Sequence, residues 1–173
     1  MSRYDISLDI DANSRPIYRG EFPFRTKRTI TFTGAAGSNT WGDDGGTLDG
    51  GVLYTVTGLI FCKLIAVCKT LLDSDGAATI SIGTSDSSTL FMPAETATQI
   101  DAEQIWFNDA GNATYGIIGE ESAAIDNLPE YALNGNDIIL TVAGGANVTA
   151  GVLDFYLLWQ PISDDANVVA TTT

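Results

Sequence analysis

The chain has 173 residues, enough for a single domain that buries roughly 70% of the surface of its unfolded form, so no disulfide or metal is required to complete a core. Its 22 acidic and 8 basic residues give a formal net charge of −14, which argues against a nucleic-acid-binding surface built from clustered Lys and Arg. Hydrophobic residues make up 45%, and few long charged side chains with much Thr, Val and Ile point to sheet rather than helix.

Charge is unevenly placed along the chain. Residues 1–28 carry six basic and four acidic residues, whereas residues 29–173 carry two basic and 18 acidic. The first segment has no sustained period and contains Pro16 and Pro23, so it reads as an extended basic arm ahead of a body that starts at residue 29. Its aromatic residues need a surface to pack on, either their own domain or another chain. The candidate partner-binding set is Arg15, Tyr18, Arg19, Phe22, Phe24, Arg25, Lys27 and Arg28. In such a set the aromatic rings enter pockets while the cations set register and association rate.

Thr29–Thr33 alternates cleanly, with Ile30 and Phe32 inward, and predicts the first body strand. Residues 34–51 contain seven glycines and predict a loop with Trp41 folded back as an accessible lid. Val52–Thr57 predicts a strand with Val52, Tyr54 and Val56 on one face. In the long apolar run Leu59–Leu72, Ile60, Cys62, Leu64, Ala66 and Cys68 share one parity while Lys63 and Lys69 share the other, a strand period rather than a helical one. Cys62 and Cys68 then lie on one face roughly 20 Å apart and cannot bridge each other. A bridge between subunits stays open, and unpaired thiols suit a reducing compartment.

The turn DSDG at 73–76 ends that run. Ala78–Ile82 and Thr89–Met92 predict two short strands around GTSDSS, with Pro93 stopping the second. Residues 94–104 suit a turn or two of helix, Ile105–Phe107 and Thr114–Ile118 are extended, and Glu120–Tyr131 is a connection. Asp137–Ala143 and Val152–Gln160 form the last pair, in which Leu153, Phe155, Leu157 and Trp159 fall on the core face with Ile30, Phe32, Val56, Ile60, Leu64, Ile138 and Leu140. The tail 164–173 has little to bury and reads as flexible. Eight or nine strands without long helices predict an all-β fold, an antiparallel β-sandwich of jelly-roll type, with its body over residues 29–163.

The chain contains no histidine, which removes Ser-His-Asp and Cys-His catalysis and every His-bearing zinc site; two cysteines do not complete a four-sulfur site. Asp101 with Glu103, or Glu120 with Glu121, is the remaining acid/base pairing for glycoside hydrolysis, but so acidic a chain produces close pairs by chance. Asp43, Asp44 and Asp49, and separately Asp73 and Asp75, offer oxygens to Ca²⁺, for which turn chemistry is the simpler account. The reading is therefore no enzyme, no cofactor and no metal. Trp159 belongs to the core face and Trp106 lies between Ile105 and Phe107, so sugar stacking would rest on Trp41. With neither a signal-like apolar run nor a segment of ~20 apolar residues, the expectation is synthesis in a cytoplasm and no membrane contact.

Taken in order, the segments GDDGGTLDGG, VLYTVTG, ATISIGTS, IDAEQIWFND and NDIILTVAGGANVTAGVLDFYLLWQPIS resemble small proteins of tailed bacteriophages encoded beside the major capsid protein, the virion decoration and minor head proteins. The resemblance covers roughly residues 29–163. It implies a structural protein on the capsid exterior that cements capsomers. The implied partners are the major capsid protein and copies of itself, with a homo-oligomer, a trimer above all, and neither nucleic acid nor membrane. The alternative is a phage-exterior module that binds host surface glycans through Trp41 and the acidic loop. An enzyme is the third and least supported class.

Overall fold

The structure is a computed structural model that describes residues 9–10, 16–17, 22, 24–108, 116–118 and 128–172. In chain order the strands are β1 (Asp9–Ile10), β2 (Pro16–Ile17), β3 (Phe24–Thr31), β4 (Gly51–Thr57), β5 (Leu59–Ser74), β6 (Thr79–Gly83), β7 (Met92–Thr96), β8 (Ile105–Phe107), β9 (Gly116–Ile118), β10 (Tyr131–Asn134), β11 (Ile138–Ala143), β12 (Val148–Pro161) and β13 (Asn167–Ala170). A single 3₁₀ turn, Ala97–Gln99, is the only helical element among the described residues.

Every pairing among the described residues is antiparallel. One sheet runs β3-β12-β5-β8-β9, with β10 sharing the β8 edge of β5; the other runs β13-β4-β11-β6-β7. The pairs β3/β12, β4/β11, β5 with β8 and β10, and β6/β7 nest inside one another along the sequence. An antiparallel ribbon rolled up in this way, with its pairs shared alternately between two sheets, is a jelly roll. The all-β antiparallel sandwich read from the alternating pattern is therefore the fold.

The core lies between the sheets. Leu153, Phe155 and Leu157 are fully buried and Trp159 nearly so, facing Ile138, Leu140 and Val142 of β11 and Ile80 and Ile82 of β6. In β5 all five predicted inward positions, Ile60, Cys62, Leu64, Ala66 and Cys68, are buried. Each large aliphatic or aromatic side chain so enclosed contributes ~1.5–3 kcal/mol of burial. Tyr54 ties the layers together with a polar contact: its hydroxyl leaves β4, crosses the core and donates to the Phe155 carbonyl at 2.8 Å. Burial pushes its pKa far above the usual phenol value, so the hydroxyl stays protonated and able to donate.

Several sequence expectations need correction. The first body strand begins at Phe24, not Thr29, because Phe24, Thr26, Arg28 and Ile30 lie opposite Trp159, Leu157, Phe155 and Leu153. The arm therefore ends before residue 24 and not at residue 28. Pro93 does not stop a strand but lies inside β7, at the sheet edge where a missing N–H is tolerated. In β4 it is Leu53 and Tyr54 that are both fully buried while Val52 is only half-buried. The cause is a bulge opposite Ile138 and Ile139, whose partners are Tyr54 and Val52, so that Leu53 is the extra residue and the parity shifts. Tyr131–Asn134 pairs with Leu59–Cys62, adding a strand that the sequence pattern does not predict, at the end of the expected connection Glu120–Tyr131. The tail read as flexible over 164–173 instead holds a strand within its described residues, since Asn167–Ala170 pairs with Tyr54–Thr57 and buries Val168.

Truncating Phe155 to Ala leaves a cavity between the sheets and should cost ~3–5 kcal/mol in urea titration; a loss below ~1 kcal/mol would contradict the assigned core face. Cys62 and Cys68 are both free and buried, and burial pushes the Cys62 thiol up to about 12. Because the thiolate is the reactive form, a thiol reagent should label neither residue at an appreciable rate until the protein is unfolded. Rapid labelling of the native chain at Cys62 would show that the β5 interior is open.

Candidate interaction surface

The inward parity of β12 dictates what it shows outside: Val152, Asp154, Tyr156, Leu158 and Gln160. Register then places their neighbours. Asp154 lies between Thr29 and Val67, Tyr156 between Lys27 and Ile65, and Leu158 between Arg25 and Lys63. Gln160 pairs with Phe61, and Ile105 of β8 lies beside Val67. The outer face of this sheet thus grades from the polar stripe Arg25, Lys27, Thr29 and Thr31 to an apolar one in β5, where Phe61 is 37% and Leu71 48% exposed.

Asp154 organises the centre of the face. It is only 5% exposed although it points away from the core, because Thr29 Oγ1 donates to it at 2.6 Å and Lys27 Nζ lies 2.7 Å away. Burial alone would raise its pKa; the hydrogen bonds from Lys27 and Thr29 and the charges of Lys27 and Lys69 outweigh that and hold it below its ordinary value. Lys27 is shifted upward in turn, chiefly by its bond to Asp154. The Arg25 guanidinium and Lys27 ammonium stand 5.7 and 5.6 Å from the centre of the Tyr156 ring, within cation–π range. Lys63 Nζ lies 4.7 Å from the centre of the Phe22 ring and 3.9 Å from Glu130.

The eight residues singled out in the sequence part company here. Arg25 and Lys27 face outward on β3 and belong to this surface. Phe22 lies against it through Lys63. Phe24 instead stacks on Trp159, ring centres 4.7 Å apart, and Arg28 takes an inward position opposite Phe155. Arg15, Tyr18 and Arg19 lie outside the described residues. Sequence reasoning put Lys63, Lys69, Asp154 and Tyr156 on the outward parity but did not name them, or Phe61 and Leu71, as interaction residues. The signal was in β5: apolar residues at both parities, with both lysines on the odd one, mark a strand whose outer side is also apolar.

The acidic loops have another task. Asp43, 1% exposed, accepts the Asn39 and Gly37 amides at 2.9 and 3.2 Å. Asp49 accepts the Val142 amide at 2.9 Å, Asp44 that of Gly145 at 2.6 Å, and Asp75 holds both the backbone and side-chain N–H of Asn147 at 2.7 Å. Those of Asp43 close its own loop, and those of Asp44, Asp49 and Asp75 tie segments far apart in sequence. Gly42, at φ +104°, lets the loop backbone close on Val148, whose amide donates to the Gly42 carbonyl at 2.8 Å; any side chain there would collide with the Val148 carbonyl. Among the described residues no three Cys, Asp or Glu side chains gather as a metal-holding group. Asp101 and Glu103 are both exposed, and Glu120 and Glu121 lie outside the described residues.

Trp41 is a correction: it is 7% exposed, not an accessible lid. Its ring packs over Gly51, where a Cβ would come within 2.7 Å of it. Trp106 and Trp159 are buried as well, so the tryptophans offer no stacking platform for a sugar. No family model, no curated protein and no solved structure matches this chain.

The depressed pKa of Asp154 has a sign that is open to measurement. Its contribution to stability is complete above the ordinary value of 3.8 and is lost as the pH falls through the lower folded value. The urea midpoint of wild type should therefore exceed that of Asp154→Asn near neutral pH, and the gap should close as the pH is taken below 3.8. A gap that stays constant through this range would show that Asp154 ionisation does not hold β3 to β12.

Proposed function

We propose that this chain is a structural, non-catalytic virion protein that decorates or cements a bacteriophage capsid from the outside, with the major capsid protein and copies of itself as partners. The observation that carries the reading is the outer face of the β3-β12-β5 sheet: strand-built, apolar along Phe61, Ile65, Val67 and Leu71, with Lys63 and Lys69 among them and Arg25 and Lys27 on β3, on an otherwise acidic chain. A surface with an apolar stripe beside a charged one suits protein–protein contact, the apolar part supplying affinity and the charges orientation. The segment resemblance supplies the class of partner, and the acidity of the remaining surface suits a protein that stays soluble and avoids nucleic acid. Burial of Trp41 withdraws the ring on which glycan binding would have rested.

The test is co-sedimentation with mature capsid shells and counting of copies per shell. A copy number proportional to the capsid lattice is expected; a few copies per particle, as for a tail or fibre component, would contradict the proposal. Residues 1–21 are proposed to add a tether through Arg15, Tyr18 and Arg19. Because Phe24 belongs to β3 and Phe22 packs on Lys63, a truncation that probes the tether has to stop at residue 21. That truncated chain should keep its sheet circular dichroism and lose shell binding. Binding equal to that of the full chain would overturn the tether.

A further inference from the structure

We propose that the free edge of β3 takes up an extended, acidic segment of the shell protein as an added strand, so that the sheet continues into its partner. The inference deepens the decoration reading above, on which it rests for the identity of the partner.

Among the described residues β3 has β12 on one side and no strand on the other. In an antiparallel ladder a residue sends its N–H and C=O to the same neighbour, and the direction alternates along the strand. The Phe32 amide donates to the Gly151 carbonyl at 2.9 Å, in the register that pairs Ile30 with Leu153 and Arg28 with Phe155. Thr26, Arg28 and Ile30 therefore bond toward β12. Arg25, Lys27, Thr29 and Thr31 turn their backbone groups to the free edge, and all four residues are exposed. The next residue of that parity shows what this edge lacks. The Thr33 amide donates to the Trp41 carbonyl at 2.9 Å, and the Thr33 carbonyl accepts Thr40 Oγ1 at 2.8 Å. Among the described residues nothing does the same for the backbone of Arg25, Lys27, Thr29 or Thr31.

The other described edge strands are short or blocked. β10 and β13 have four residues each, β9 has three, and β7 carries Pro93, which has no N–H to donate. β3 has eight residues without proline, and it is guarded by charge alone: Arg25, Lys27 and Arg28, with no carboxylate in the strand.

That guard selects the occupant. Two copies of β3 paired along their length would set Lys27 or Arg28 against its own counterpart, and like charges directly opposite are unfavourable. The segment leading into β3 comes from the other side. Phe22, at φ +52°, lies on Lys63 of β5, so the chain reaches β3 across the outer face and not along the free edge. A foreign strand with Asp or Glu opposite Arg25 is complementary. Lys27 is held by Asp154, whereas Arg25 lies over the Tyr156 ring and forms no ion pair among the described residues. In strand addition the main-chain bonds supply affinity and the alternate side chains selectivity.

Residue-resolved amide hydrogen exchange of the free and the shell-bound chain, read by mass spectrometry after quenching, tests this. In the free chain the amides of Lys27, Thr29 and Thr31 should exchange fast and those of Arg28 and Ile30 slowly. On mature shells the fast set should slow at least ~10-fold. Burial under side chains would not single out every second amide. Thr31→Pro removes one outward N–H at an edge position that tolerates proline, and should weaken shell binding about 10-fold. Thr31→Ala keeps that N–H and should bind like wild type. Arg25→Glu should weaken binding and Arg25→Lys preserve it, with circular dichroism as the check on the fold of each variant. Fast amides that stay fast on the shell would overturn the added strand, as would shell binding by Thr31→Pro or Arg25→Glu equal to wild type. So would amides of this set that are already slow in the isolated chain. Dependence on concentration would then assign the edge to a second copy, and release on truncation at residue 21 would assign it to the arm. Lattice copy number with the fast amides unchanged overturns the strand and leaves the decoration function standing; a chain that does not bind shells overturns both.

Discussion

The register of β12 between β3 and β5 is the constraint on which the rest depends. The strand has strict two-residue alternation, so a slip of one residue would carry Leu153, Phe155, Leu157 and Trp159 to the solvent side and Asp154 into the core. Polar contacts hold it from both faces. Inside, the Tyr54 hydroxyl reaches the Phe155 carbonyl and the Trp159 indole donates to Thr26 Oγ1 at 3.0 Å. Outside, Thr29 and Lys27 hold Asp154. Each clamp joins β12 to residues distant in sequence, and none would survive the slip.

That same register builds the surface. Because β12 turns its apolar set inward, Asp154 and Tyr156 are left outside, where they gather the β3 cations. β5, by contrast, is apolar on both sides and shows Phe61 and Leu71 to solvent. An acidic chain whose described cations lie mostly on one sheet face has an orientation built into it. The loops at one end are tied down by carboxylates that accept backbone amides.

Much of this was legible in the sequence. Parity alone placed the two cysteines, both lysines of β5 and the inward residues of β12, since these strands have strong two-residue periods. What escaped was set by tertiary context. Thr26 and Arg28 occupy inward positions with polar side chains, so the start of β3 shows no hydrophobic alternation and its cations looked like part of an arm. β13 is too short to carry a period and exists because β4 offers it an open edge. The bulge at Leu53 reversed parity within β4 and left no mark in local composition. Trp41 lies in a glycine-rich loop that reads as surface until its carboxylates are seen folding it onto the body.

Side-chain hydroxyl-radical footprinting of the isolated chain and of the shell-bound protein tests the central claim most directly, namely that the outer β3-β12-β5 face is where the molecule makes its contacts. Oxidation of Phe61, Leu71 and Tyr156 should fall on binding, while that of Val169 and Ile139, on the opposite sheet, should change little. Protection of Val169 and Ile139 with Phe61 and Leu71 still fully reactive would contradict the account, because it would place the contacts on the other side of the sandwich.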